Sequence, residues 1–293
     1  MVIEKVGVVG CGLMGAGITQ TAAQAGYKVV VAEANQEVLD KGLKNIRGLL
    51  ERAVAKGRTS KEEMEGILSK IEGTTDLAQL KDCQLVIEAV VEDMAVKKKV
   101  FKTLDKSCPK ETILATNTSS LTVAETAAIT LRPDRVVGLH FFNPVPVMKL
   151  VEVVRTIATS DETFNAAYEF ARSLGKEPIG VKDSCGFVVN LLLIPYLLSA
   201  IRALEQGVAS IEGIDKGMKL GCGYPMGPFT LLDFVGLDTT YHIAGIMFEE
   251  FKERHYAPPP LLKRLYLMGH LGRKSGRGFY DYSTDPPKVV SFS

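Results

Sequence analysis

Short runs rich in valine, isoleucine and leucine recur through the first part of the chain. They lie at Val6–Val9, Lys28–Ala32, Leu85–Ala89, Ile113–Ala115, Val136–Leu139, Leu150–Val154 and Pro178–Val181. Stretches of helical periodicity separate them, beginning with Gly17–Ala25. This alternation predicts parallel strands joined by crossover helices, and runs that are apolar on both faces predict a sheet covered on both sides. Glu37–Lys56 reads as a long amphipathic helix. Thr59 or Ser60 then starts a second one, with Glu62 and Glu63 in its first turn, which makes a helical hairpin over about residues 37–70. After Gly186 the strand signals largely stop. Helical patterns follow at Val188–Gln206, Ile211–Gly221, Phe229–Arg254 and Pro260–Met268, separated by Gly/Pro clusters at Gly221–Pro228 and Pro258–Pro260. The pattern predicts an α/β chain: a doubly wound, mostly parallel sheet in residues 1–184 and an all-helical domain in residues 185–293.

Length and composition agree with two soluble domains. The chain has 293 residues, too many for one ordinary core, with 46% hydrophobic and 24% charged positions. A formal net charge of +1, with no basic excess, gives no reason to expect a nucleic-acid partner. Cys11, Cys83, Cys108, Cys185 and Cys222 are odd in number and widely spaced, which fits neither a disulfide framework nor a metal site. The longest apolar stretch, Gly186–Ile201, is too short to span a bilayer and contains Asn190 and Pro195, so it reads as a core helix and no membrane association is expected. The chain enters a strand pattern at Ile3–Val9 with no leader before it, which leads to the expectation of a cytoplasmic protein.

Gly10-Cys11-Gly12-Leu13-Met14-Gly15 follows the first strand and opens the first helix, the context that a dinucleotide-binding loop of a Rossmann-type domain requires. Gly10 permits the tight turn, Gly12 lets backbone approach a pyrophosphate, and Gly15 lets helix and strand pack closely. Leu13 and Met14 place their N–H groups in the first turn, where a helix amino end favours an anion. The second strand ends at Glu33. An acidic side chain there accepts hydrogen bonds from ribose hydroxyls and repels a 2′-phosphate, so NAD(H) is expected over NADP(H). Lys28 and Asn35 lie close enough in sequence to keep NADP(H) as the lesser alternative.

Three further strand ends carry polar residues: Glu92, Asp93 and Lys97 after the strand Leu85–Ala89; Asn117-Thr118-Ser119-Ser120 after Ile113–Ala115; and His140-Phe141-Phe142-Asn143 after Val136–Leu139. Ligands of open α/β sheets bind at the carboxyl ends of strands. Oxidation of a hydroxyl to a ketone needs a base that titrates near neutrality, and His140 is the candidate. Glu152 interrupts the apolar run Leu150–Val154, where an unpaired charge would be costly, so a pairing with His140 is expected. From spacing alone, a structural histidine and a strand-edge glutamate remain alternatives. Asn190 interrupts another apolar run and either bonds backbone in the core or faces a ligand.

The glycine loop, Asn117-Thr118-Ser119-Ser120, the run from His140 to Glu152 and Gly186-Phe187-Val188-Val189-Asn190 together resemble the 3-hydroxyacyl-CoA dehydrogenase family, and within it the bacterial 3-hydroxybutyryl-CoA dehydrogenases, over essentially the whole chain. The resemblance implies hydride transfer with NAD(H) between an (S)-3-hydroxyacyl-CoA such as 3-hydroxybutyryl-CoA and its 3-ketoacyl form, acetoacetyl-CoA. It implies His140 as catalytic acid/base, Glu152 as its partner, and Ser119 and Asn190 as positioning groups for the substrate's 3-oxygen and carbonyl. It assigns Glu33, Glu92, Lys97, Asn117, Ser119 and Asn143 to the cofactor, and Lys56, Lys97 and Ser119 to coenzyme A. It also implies a homodimer formed through the helical domain. The sequence departs from the family at Cys185, where proline is usual, and at Leu191, where arginine is usual. Proline would restrict the backbone at that turn, and arginine would offer a salt bridge. The rival readings are a dehydrogenase of a free hydroxy acid or sugar acid and a non-enzymatic NAD-binding protein.

Overall fold

A computed structural model describes residues 2–292, which fall into two compact units divided between residues 187 and 188. In the first, the chain runs β1 (Lys5–Val9), α1 (Leu13–Gln24), β2 (Lys28–Ala32), α2 (Gln36–Ala55), α3 (Lys61–Leu68), β3 (Ile71–Thr74), β4 (Leu85–Glu88), α4 (Met94–Ser107), β5 (Ile113–Thr116), α5 (Val123–Ala127), β6 (Val136–Phe141), β7 (Leu150–Arg155), α6 (Asp161–Ser173) and β8 (Glu177–Lys182). The strands form one sheet in the order β3-β2-β1-β4-β5-β6-β7-β8, and every neighbouring pair is parallel except β6–β7.

The period of two along each strand sorts the side chains onto the two faces. Val6, Val8, Val29, Val31, Ile87, Val137, Leu139, Val151 and Val153 join one buried cluster, which takes in residues of α1, α2, α3 and α6. Val9, Val30, Val86, Leu114, Val136 and Val154 join the other, with Phe101 and Leu104 of α4 and Val123 of α5. The doubly wound, mostly parallel sheet is therefore present, built from runs that are buried on both sides.

Three details differ from the sequence-based expectation. The strand β3 was not foreseen: Ile71-Glu72-Gly73-Thr74 has no apolar alternation, and backbone pairing to β2 at the sheet edge creates it. The hairpin of α2 and α3 is accordingly the crossover from β2 to β3; Asn35 caps the first helix, and Ser60 with Glu63 forms a capping box on the second. The first helix begins at Leu13, inside the glycine motif, four residues before its expected start.

The second unit holds α7 (Val189–Glu205), α8 (Ile211–Cys222), α9 (Pro228–Val235), α10 (Leu237–Phe251) and α11 (Pro260–Leu267), with a small antiparallel pair, β9 (Tyr280–Asp281) and β10 (Lys288–Val289). The expected single helix Phe229–Arg254 is two helices, because Gly236 takes φ +104°, outside any helical conformation. Two buried aspartates organise this unit. Asp215 accepts from the N–H groups of Phe229 and Thr230 and so caps α9 from α8, while Asp233 accepts from the N–H groups of Phe279 and Tyr280 and from the Tyr282 hydroxyl. Burial pushes the Asp233 carboxyl up, against the pull of those donors. No helix among the described residues is long and apolar enough to cross a membrane.

Candidate active site

Four loops meet at one edge of the sheet, because β1, β4, β5 and β6 run parallel and end there. The first is the glycine loop. Gly10 has φ +98°, a conformation that a side chain would strain, and a Cβ on it would sit 2.6 Å from the Ala89 carbonyl oxygen. A Cβ on Gly15 would lie 1.8 Å from the Gly10 oxygen, so only glycine lets α1 approach β1 this closely. Gly12 has open space where a Cβ would stand, and no side chain caps α1. Bare N–H groups of a first turn under open space fit the pyrophosphate of a dinucleotide.

Glu33, just past the end of β2, reaches over this loop. Its Oε2 accepts from Cys11 N and its Oε1 from Ala34 N, both at 2.7 Å. The Cys11 side chain turns inward against Gly42 of α2. Burial, and then the charge of Glu33, push its thiol up to about 11, so it packs rather than reacts.

At the end of β4 the structure brings together five charged or hydroxyl side chains. Lys97, fully buried on the first turn of α4, donates to Glu88 Oε1 at 2.9 Å and Oε2 at 3.2 Å, and pairs with Glu92 Oε2 at 3.1 Å. These contacts match the three donors of an ammonium, so Lys97 lies beneath the loops, bonded to protein. Glu92 Oε1 gathers the next loop: it accepts from the Thr118 hydroxyl, from Ser119 N at 2.9 Å, and from Ser120 N and Oγ at 3.3 and 3.2 Å. Burial would push the Glu92 carboxyl up, but Lys97 and these donors outweigh it and hold the group below the ordinary carboxylate range. Asn117 at the end of β5 accepts Phe141 N on its Oδ1 at 2.9 Å, tying this loop to the strand that carries His140.

His140 lies within β6, one residue from its end, and not in the following loop as expected. Glu152 lies on antiparallel β7 in direct register with it. Directly opposed residues share a face, here the face of Val136 and Val154. His140 Nδ1 and Glu152 Oε2 are 2.6 Å apart, with the histidine 5% exposed and the glutamate buried completely. With Nδ1–H donated to the carboxylate, Nε2 is the nitrogen that can exchange a proton with a ligand. The ring is held between aromatic neighbours, its centroid 4.4 Å from that of Phe142 and 5.6 Å from that of Phe187.

Of the remaining expected residues, Asn143 is exposed in the loop between β6 and β7, Lys56 is exposed at the carboxyl end of α2, and Asn190 is buried in the first turn of α7 in the second unit. Sequence reasoning missed Glu88. It stands inside an apolar run, as Glu152 does, and the same cost of burying a lone carboxylate could have singled it out.

The chain matches two domain families that adjoin along it. Residues 5–184 match the 3-hydroxyacyl-CoA dehydrogenase NAD binding domain, and residues 186–282 match the 3-hydroxyacyl-CoA dehydrogenase C-terminal domain. It is 52% identical over 282 residues to a 3-hydroxybutyryl-CoA dehydrogenase of Mycobacterium tuberculosis, covering 96% of this chain and 99% of that one. It is 48% identical over 290 residues to the mitochondrial hydroxyacyl-coenzyme A dehydrogenase of Homo sapiens, covering 96% and 92% of the two chains. The crystal structure of an (S)-3-hydroxybutyryl-CoA dehydrogenase from Ralstonia eutropha is similar with a TM-score of 0.92 and 42% identity, over 97% of this chain and all of that one. A glycine loop with an acidic strand end behind it, a buried histidine–carboxylate pair and matches along nearly the whole chain lead to one statement: this chain belongs to the 3-hydroxyacyl-CoA dehydrogenase family.

Proposed function

We propose that the chain interconverts (S)-3-hydroxybutyryl-CoA and acetoacetyl-CoA with NAD(H). The observation that carries this reading is the His140–Glu152 pair, 2.6 Å apart at the sheet edge where the glycine loop ends. Gly10, Gly12 and Gly15, with Leu13 and Met14 in the first turn and Glu33 on the adenosine ribose, would hold NAD(H), whose nicotinamide would accept or supply the hydride. In the oxidative direction His140 Nε2 accepts the proton of the 3-hydroxyl, and in reduction the imidazolium returns it to the forming alkoxide. Glu152 keeps the ring in the productive tautomer and stabilises the imidazolium. Ser119 and Asn190 position the 3-oxygen and the carbonyl. Glu92, Lys97, Asn117 and Asn143 order the cofactor side, and Lys56 on the basic hairpin serves the coenzyme A phosphates. Relatives named for the same reaction at about half identity support this assignment.

We place residues 1–184 as the cofactor domain, with the hairpin over about 37–70 as its coenzyme A-binding part, and residues 185–293 as the substrate and dimerisation domain of a cytoplasmic homodimer. Exposed apolar side chains on the helical unit, Leu192 and Leu220, support the dimer. The test is steady-state oxidation of NADH and NADPH with acetoacetyl-CoA. Fast turnover with NADH is expected. No turnover with either, by a folded protein that binds NADH, would refute the reading, and turnover with acetoacetate in place of its thioester would point to a free-acid dehydrogenase.

A further inference from the structure

Glu88 is a fully buried carboxylate that the proposed chemistry does not use. It ends β4, the central strand between β1 and β5, and its bonds run in three directions. Oε1 accepts Val90 N at 2.8 Å and shapes the turn after the strand. Both oxygens grip the Lys97 ammonium on α4. Oε2 accepts the Thr116 hydroxyl at 2.7 Å, and the Glu88 main-chain carbonyl accepts Asn117 N at 2.8 Å. Its carboxylate and carbonyl thus bond Lys97, Thr116 and Asn117, the residues that adjoin the Ser119 loop.

The order of the network matters. Glu92 divides its oxygens, Oε2 to Lys97 and Oε1 to the donors of Thr118, Ser119 and Ser120. Its orientation depends on where Lys97 stands, and Lys97 is fixed by Glu88. If Glu88 is neutral, the ammonium has one ionised partner instead of two. It then draws on Glu92, whose hold on the Ser119 and Ser120 N–H groups weakens. The second arm runs through Asn117, which accepts Phe141 N beside His140. Buried ionic networks are weak evidence of net stability, and in some proteins they serve to select one geometry.

We propose that Glu88 is a positioning residue for the reaction, acting through Lys97 and Glu92 on Ser119. This rests on the assignment of Ser119 to the substrate made above. It gives the ion pair a task beyond joining strands: aligning the substrate's 3-oxygen with His140.

The test is a double-mutant cycle between Glu88→Gln and Ser119→Ala, read as kcat/KM for acetoacetyl-CoA with NADH. Glu88→Gln is expected to lower it ten- to a hundredfold in the wild-type background and less than threefold in the Ser119→Ala background. A purely structural role would cost the same factor in both, and that result overturns the proposal, as does a Glu88→Gln enzyme of normal activity. If Glu88→Gln does not fold, Thr116→Val, which removes the hydroxyl's bond to the Glu88 carboxylate and the one it accepts from Thr118 N, enters the same cycle. It is expected to cost three- to tenfold with Ser119 present and nothing without it, and equal losses or no loss overturn the proposal. A wild-type protein that does not turn over acetoacetyl-CoA, or a Ser119→Ala variant of normal activity, overturns the underlying assignment together with this inference. An active wild type with a slow Ser119→Ala and additive losses overturns the role of Glu88 alone.

Discussion

Glu152→Gln separates orientation from charge in the acid–base pair. The substitution keeps the shape of a completely buried side chain and removes a charge that lies 2.6 Å from His140 Nδ1. The imidazolium forms only as the hydroxyl proton is taken, so the carboxylate acts where charge develops. Two unit charges about 4 Å apart interact by about 4 kcal/mol at an effective dielectric constant of about 20, and about 1.4 kcal/mol corresponds to a factor of ten. The expected fall in kcat is therefore about a thousandfold, inside the roughly hundred- to ten-thousandfold range for a positioned acid–base group. Register sets the side chain's place: β6 and β7 hold residues 140 and 152 opposite each other whatever the terminal atom is. The dissociation constant for NADH should accordingly stay within about twofold, and the melting temperature within a few degrees, because a neutral amide is cheaper to bury than a carboxylate. Stopped-flow reduction of acetoacetyl-CoA, fluorescence titration with NADH and calorimetry measure the three quantities. A kcat within tenfold of wild type would refute the reasoning, since the charge would then have no part in the proton transfer.

The remaining expectations concern the scaffold. Gly15→Ala puts a Cβ 1.8 Å from the Gly10 oxygen, so α1 must withdraw from β1 by more than an ångström; NADH affinity should fall at least tenfold, and a variant that binds NADH normally would show the close approach to be dispensable. Arg132, buried, is bonded to Asp105 Oδ1 and to the main-chain oxygens of Asp105, Cys108 and Pro109. Arg132→Met leaves Asp105 buried without its charge partner, at a cost of about 3–5 kcal/mol, and calorimetry should show a melting temperature lower by about 10 °C. Because the Glu92 carboxyl is held below its ordinary range in the folded state, its stabilising contribution is present above the unfolded value, about 4.3, and is lost as pH falls through the depressed folded value. The melting-temperature difference between wild type and Glu92→Gln should shrink as pH drops below about 4, and a difference that grows there would reverse the sign assigned to this group.

Much of the first unit is legible in single elements. Valine-rich runs such as Lys28–Ala32 declare strands buried on both faces, and Ser60, with Glu62 and Glu63 in the first turn, declares a helix start. The glycine loop is legible because each glycine answers a local steric demand. His140 can be named from the titration range of histidine and Glu152 from the cost of burying a charge, but the sequence leaves a structural histidine and a strand-edge glutamate open. The strand β3, the break at Gly236 and the hub at Glu88 escape because their causes lie elsewhere: in the free edge of β2, in a helix-breaking φ, and in a lysine nine residues along the chain.

The sequence by itself determined most of the strands of the sheet, the helical character of the second unit, the glycine-lined turn and the acidic strand end, since propensity, period and capping act within a few residues. Only the tertiary structure decided that β7 runs antiparallel to β6 with residue 152 facing residue 140, and that Lys97 is shared between Glu88 and Glu92. Register is set by a ladder of hydrogen bonds between strands, and a buried charge by whichever partner the packed sheet brings within about 3 Å; neither is a property of a stretch of chain taken alone.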